Sequence, residues 1–239
     1  MKNKLQSFET YRGFAALMIA AVHFNVNSPL SNHSLANGLF VHFFFTLSGF
    51  VMYLNYHNKL IDFSSVKNFL KKRFFRLYPL HLLFLVIFLI IEVSKYFAQI
   101  KYGLVANNEA FSINNLKTFL GNIFLIQTFF DYNTFNTPSW SISAEYYTYM
   151  IFALVFFFMK KNNFLIFISL VSILAFRINS EIGLGIEKTY LSFLDCVYCF
   201  FIGVFSCKIY FKYSNIEIFQ KYYSIITLIL LVVSGLLII

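Results

Sequence analysis

Apolar residues in this chain come in long unbroken runs rather than in strand-like alternation. Six runs have the length and character of membrane-crossing helices, which need roughly 20 predominantly apolar residues. They cover Gly13–Asn27, Leu39–Tyr56, Leu77–Val93, Trp140–Met159, Phe164–Phe176 and Tyr190–Cys207. A seventh, Tyr222–Ile239, ends the chain without a polar flank. An eighth apolar stretch, residues 117–130, is shorter than the roughly 17 residues a span requires and reads as a re-entrant or interfacial segment. The pattern predicts an all-α, polytopic membrane helix bundle of seven or eight spans. It reads as one membrane-embedded domain over 1–239, with further C-terminal spans expected to be missing.

Composition sharpens that picture. Only 12% of residues are charged and 59% are hydrophobic, against roughly 25% charged in an average soluble domain. So little polar surface cannot cover a water-soluble globule. The 34 Phe and 16 Tyr make the apolar surface bulky, as suits a lipid-facing one.

The formal net charge of +9 is carried by clusters between the apolar runs, which is the arrangement of cytoplasmic loops and not of a nucleic-acid face. Lys2, Lys4 and Arg12 precede the first run, and segment 57–76 carries Lys59, Lys67, Lys71, Lys72, Arg73 and Arg76. Segment 28–38 has no Lys or Arg. The positive-inside rule then puts the N-terminus and segment 57–76 in the cytoplasm of an inner or plasma membrane protein. With 117–130 not crossing, Lys160, Lys161, Lys208, Lys212 and Lys221 fall on the same side. The polar segment 95–116 is then external, where it could shape a mouth for substrate. No small-residue cleavage site follows the first run, so it does not read as a signal peptide. Cys196 and Cys199 have a metal-like spacing but no second pair and no nearby His, so with Cys207 they read as helix packing.

Candidate chemistry sits where polar residues interrupt apolar runs. Arg12 and His23 are 11 residues apart, about three helical turns, and so share a helix face with a rise of roughly 16 Å. An imidazole at that depth is costly unless it faces protein or a watered cavity. Arg73 and Arg76, spaced i,i+3, share a face if their segment is helical, and two guanidinium forks suit phosphate groups. Glu145 enters the run that begins at Trp140, with Tyr149 one turn on along the same face. An intramembrane carboxyl group is a functional-site candidate by default. Ser48-Gly49 is a small pair that permits close helix approach; no local base accompanies Ser48, so it does not read as a nucleophile.

Four pieces together resemble integral-membrane acyltransferase family 3, a family that acylates sugars and other hydroxyl acceptors. They are Phe8-Glu9-Thr10-Tyr11-Arg12-Gly13-Phe14-Ala15-Ala16 with His23; Phe43 to Phe50; Arg73-Phe74-Phe75-Arg76-Leu77-Tyr78-Pro79; and Pro138-Ser139-Trp140-Ser141-Ile142-Ser143-Ala144-Glu145 with Tyr149. The order and spacing carry the resemblance, which covers about residues 7–159. One departure is His42, which stands where an acidic residue usually precedes the Phe-Phe-x-x-Ser-Gly-Phe run.

The resemblance implies an acyl-CoA donor, commonly acetyl-CoA, reached from the cytoplasm as co-substrate, with no tightly bound cofactor and no metal. It implies a cell-surface carbohydrate acceptor, such as a polysaccharide or lipopolysaccharide, and the lipid bilayer as the protein's surroundings. On that reading Arg73, Arg76 and Arg12 hold the donor and His23 takes the acceptor's hydroxyl proton. Glu145 orients His23 or binds acceptor hydroxyls. Tyr149 and Ser143 serve the substrate or the developing oxyanion. The alternative is a transporter or flippase in which His23 and Glu145 line a proton or substrate path; it leaves the paired arginines without a purpose.

Overall fold

A computed structural model describes residues 13–20, 34–104, 108–129, 135–158, 188–213 and 225, with side chains placed from Phe40 onward in the second of these segments and from Ser192 in the fifth. The described residues are helical apart from turns and short connections. Five helices are named here: α1 (Ser34–Tyr56), α2 (Phe63–Tyr102), α3 (Leu116–Ile123), α4 (Trp140–Phe158) and α5 (Lys188–Tyr213). Residues 13–20 are helical as well. Phe63–Tyr102, Thr137–Phe158 and Ser192–Tyr213 are each long and apolar enough to cross a membrane, and Phe40–Tyr56 is a shorter apolar helix. Chain contacts group into two compact units, one built from 1–59, 161–174 and 195–239 and the other from 60–160 and 175–194.

In the first unit α1 meets α5 at two glycines. A Cβ added at Gly49 would lie inside the carbonyl group of Phe200, and one at Gly203 inside the carbonyl of Thr46. Each helix therefore presents bare backbone to the other, the arrangement small residues permit between membrane helices. The packing role expected of Gly49 is what the fold uses. Beyond the crossing the two helices run in the same direction: Phe50 and Tyr53 meet Tyr210 and Phe211, and Lys208 lies over the Tyr53 ring at 5.5 Å. Cys196, Cys199 and Cys207 are buried along α5. Gly49→Val and Gly203→Val are each expected to destabilise the protein by about 1–3 kcal/mol or more, because the carbonyl opposite is backbone and cannot swing away. Thermal unfolding in detergent, with Phe205→Leu at an exposed position of α5 as control, tests this. Melting temperatures no lower than the control's would show that the crossing tolerates side chains.

In the second unit α2 is the spine. It begins at a capping box: the Asp62 side chain accepts from the Ser65 backbone N–H, and the Ser65 hydroxyl accepts from the backbone N–H of Asp62. The bond from Ser65 holds the Asp62 carboxyl below its ordinary pKa. The helix ends at Gly103, whose φ of 67° is the left-handed conformation a glycine C-cap supplies. Its 40 residues rise about 60 Å, twice the hydrocarbon thickness of roughly 30 Å. Segment 57–76 is therefore helix from Phe63 onward, and segment 95–116 is helix as far as Tyr102. Lys and Arg end an apolar run but are good helix formers, so α2 continues through them. Likewise α1 starts at Ser34, inside the segment 28–38.

One stripe of α2 is buried, namely Val66, Phe69, Arg73, His81, Leu85 and Glu92. The steps of three, four and seven or eight residues place them on one face. Leu80, Leu83, Ile90 and Phe97 are exposed, as lipid-facing residues would be. Across the stripe, Phe69 meets Phe152 and Tyr149, and Phe74 meets Tyr146. Later residues of α2 thus face earlier residues of α4, so the two helices are antiparallel. Between them α3 has eight residues, a rise of about 12 Å, too short to cross. Within segment 117–130 the described residues, 117–129, thus form a short helix and a 3-10 turn, Gln127–Phe129, consistent with the non-crossing reading. The segment after α2 folds back onto it: Glu92 accepts from Lys95 Nζ at 3.0 Å, Asn114 Nδ2 at 2.7 Å and Phe111 N at 3.2 Å, while Gln99 accepts from Ala110 N at 3.2 Å.

Candidate active site

Polar residues gather in two places beside α2. The first centres on Arg73. It is buried, with its guanidinium carbon 5.7 Å from the Phe69 ring centre and 6.0 Å from that of Tyr149. A cation within about 6 Å of an aromatic face is attracted to it. Tyr149 is itself buried and donates its hydroxyl to Glu145 Oε1, one turn back on α4. Guanidinium, phenol ring and carboxyl group thus stand in sequence across the helix pair. The phenol hydroxyl is committed to Glu145 in this arrangement, so a role for Tyr149 at an oxyanion would require it to leave that bond.

Arg76 lies one turn beyond Arg73 and is exposed. The paired arginines are helical neighbours, as spacing suggested, but one is enclosed by rings and the other open. Ser143 is fully buried and donates to the Leu125 carbonyl; it holds the turn after α3 to α4 rather than facing open space. His23 and Arg12 lie outside the described residues.

The second meeting place is a buried polar node at the start of α4. His81 Nε2 bonds the Asn122 carbonyl at 2.9 Å and Tyr78 donates to the Ile123 carbonyl at 3.1 Å. The Asn122 side chain donates to the Thr118 carbonyl at 2.9 Å and accepts from Ser139 Oγ at 3.3 Å. Gln127 Nε2 donates to the Ser139 carbonyl at 3.1 Å. The chain from Gly121 to Gln127, in which Leu125 adopts φ 55°, is clasped between α2 and the Thr137–Ser139 turn that opens α4.

A family model of the acyltransferase domain, acyltransferase family 3, matches residues 5–239. The chain belongs to acyltransferase family 3. Acyltransferase MdmB of Streptomyces mycarofaciens is 30% identical over 171 residues, covering 66% of this chain and 41% of that protein. The chain therefore matches less than half the length of this curated relative. No solved structure matches. Family membership and the apolar helices agree on a membrane protein.

The sequence reading passed over three ionisable residues that the structure buries: His81, Glu92 and Asp195. The signal was available, since each lies in or beside an apolar run, and an ionisable residue there is expected to face protein rather than lipid. The same reasoning had singled out His23 and Glu145.

Proposed function

We propose that this protein is a membrane O-acyltransferase that moves an acyl group, acetyl in the simplest case, from acyl-CoA to a hydroxyl of a cell-surface carbohydrate. The observation that carries the proposal is the Arg73–Tyr149–Glu145 constellation, in which Arg73 and Tyr149 are buried and Glu145 is half-buried, inside a chain of acyltransferase family 3. Arg73 lies toward the basic, Phe63 end of α2; the excess of Lys and Arg there supports a cytoplasmic location for that end, on the side where acyl-CoA is found. Arg76, exposed one turn on, and Arg12 offer further positive charge to the donor's phosphates.

In the proposed reaction the acceptor hydroxyl oxygen attacks the thioester carbonyl while His23 takes its proton. Collapse of the tetrahedral adduct breaks the carbon–sulfur bond. The ester forms, and coenzyme A leaves as a thiol after receiving the proton from His23. Glu145 binds the acceptor's hydroxyls, and Tyr149, held to Glu145, carries that alignment to Arg73.

The test uses membranes expressing the full-length protein, given acyl-CoA labelled in the acyl group. Label should pass to surface carbohydrate, with stoichiometric release of coenzyme A. Carbohydrate movement across the membrane with no acyl-CoA consumed would overturn the enzyme reading in favour of a transporter.

A further inference from the structure

His81 has no part in the reaction proposed above, yet it is 3% exposed in the middle of a membrane helix. Its geometry fixes its proton. A carbonyl oxygen only accepts, so the 2.9 Å contact with Asn122 requires hydrogen on Nε2. Nδ1 is buried without a hydrogen-bond partner, and a neutral ring leaves it a bare lone pair. A protonated ring would bury an unpaired N–H and a charge, which is costly. The side chain therefore acts as a single fixed donor to a backbone oxygen.

That donor sits at a mechanically telling point. Aromatic contacts between α2 and α4, such as Phe74 on Tyr146, are weakly directional, and lipid supplies no hydrophobic force to set helix register. Directional contacts must set it. His81 holds Asn122, Asn122 receives Ser139, and Ser139 opens the helix that carries Glu145 and Tyr149. Arg73 lies eight residues before His81 on α2, about 12 Å along the axis. The bridge thus ties α4 to the helix that bears Arg73.

We propose that His81 is a positioning residue, whose bond through Asn122 to Ser139 sets the register of Glu145 and Tyr149 against Arg73. The proposal rests on the acyltransferase reading for its kinetic consequence, though not for its structural one. Donor-binding arginines on α2 do not depend on the bridge, whereas the α4 groups do, so kcat should fall with little change in KM for acyl-CoA. A misplacement of about 1 Å at a reacting centre costs on the order of 100-fold.

The experiment compares His81→Gln, His81→Asn and His81→Leu in the full-length protein. The Gln amide nitrogen reaches about where Nε2 lies; the Asn amide is too short, and Leu has no donor. His81→Gln should keep kcat within about threefold of wild type and leave its pH profile superimposable, while the other two lose roughly 30- to 100-fold. A parallel readout needs no activity: bifunctional thiol cross-linking of a Phe74→Cys/Tyr146→Cys pair, in a background lacking the native cysteines. Cross-linking should persist with His81→Gln and fall with His81→Asn. A His81→Gln variant as inactive as His81→Leu would mean that the imidazole itself is required, and would overturn the proposal. Full activity in His81→Asn, or unchanged cross-linking in all variants, would overturn it equally. Wild-type membranes that consume no acyl-CoA would sink the functional reading alone, and the cross-links would still decide the role of His81.

Discussion

His23→Ala in the full-length protein is expected to lower acyl transfer by about 10²–10⁴-fold, the range that loss of a general base costs, while leaving membrane insertion and abundance close to wild type. His23 is 11 residues after Arg12 in an apolar run, which as a helix would put the imidazole roughly 16 Å from the cytoplasmic boundary. In the proposed reaction that depth lies between a cytoplasmic donor and an acceptor arriving from the other side. Thioester acylation of a hydroxyl needs a base for one proton, and His is the side chain whose ordinary pKa suits that work near neutrality. His23→Gln is the sharper companion, because it keeps hydrogen-bonding capacity and loses basicity. Transfer of labelled acyl groups to carbohydrate, normalised to protein in the membrane, is the measurement. Near-normal transfer by either variant at normal abundance would remove His23 from the chemistry.

How far the sequence foretold the structure depends on which property each element relied on. Apolar run length marked α1 and α4 closely: Leu39–Tyr56 against Ser34–Tyr56, and Trp140–Met159 against Trp140–Phe158. It failed for α2, because hydropathy detects what is soluble in lipid and not what is helical. The charged turns on either side of Leu77–Val93 are as helical as the apolar middle, and the true ends are set by Asp62 and Gly103. Those two residues are ordinary cap signals, legible once caps are sought independently of apolar boundaries. Helical periodicity did place Tyr149 over Glu145, a contact within one helix and so fixed by spacing alone. The approach of Arg73 to Tyr149 is a contact between helices and depends on register. No spacing rule reports that. The clasp around Asn122 was invisible for a related reason, since most of its bonds end on backbone carbonyls, which every residue possesses.

The difference in exposure between the two arginines of α2 makes their substitution informative. Arg73→Lys is expected to weaken acyl-CoA binding by about 10- to 100-fold, corresponding to loss of one charge-assisted hydrogen bond worth about 1.5–3 kcal/mol. Lysine keeps the charge but not the planar fork, and it stacks less well on the rings of Phe69 and Tyr149 that flank Arg73. Arg76→Lys should cost only a few-fold, because an exposed cation acts on the donor's phosphates through a screened field that a lysine also supplies. Raising the salt concentration should therefore erase most of the Arg76 effect and little of the Arg73 effect. The measurement is acyl-CoA affinity of the purified full-length protein, at low and high salt, for wild type and both variants, alongside thermal unfolding of each. If Arg73 only braced α2 against α4, Arg73→Lys would lower the unfolding temperature and leave the affinity of the folded molecules unchanged. That result would move the donor site away from Arg73.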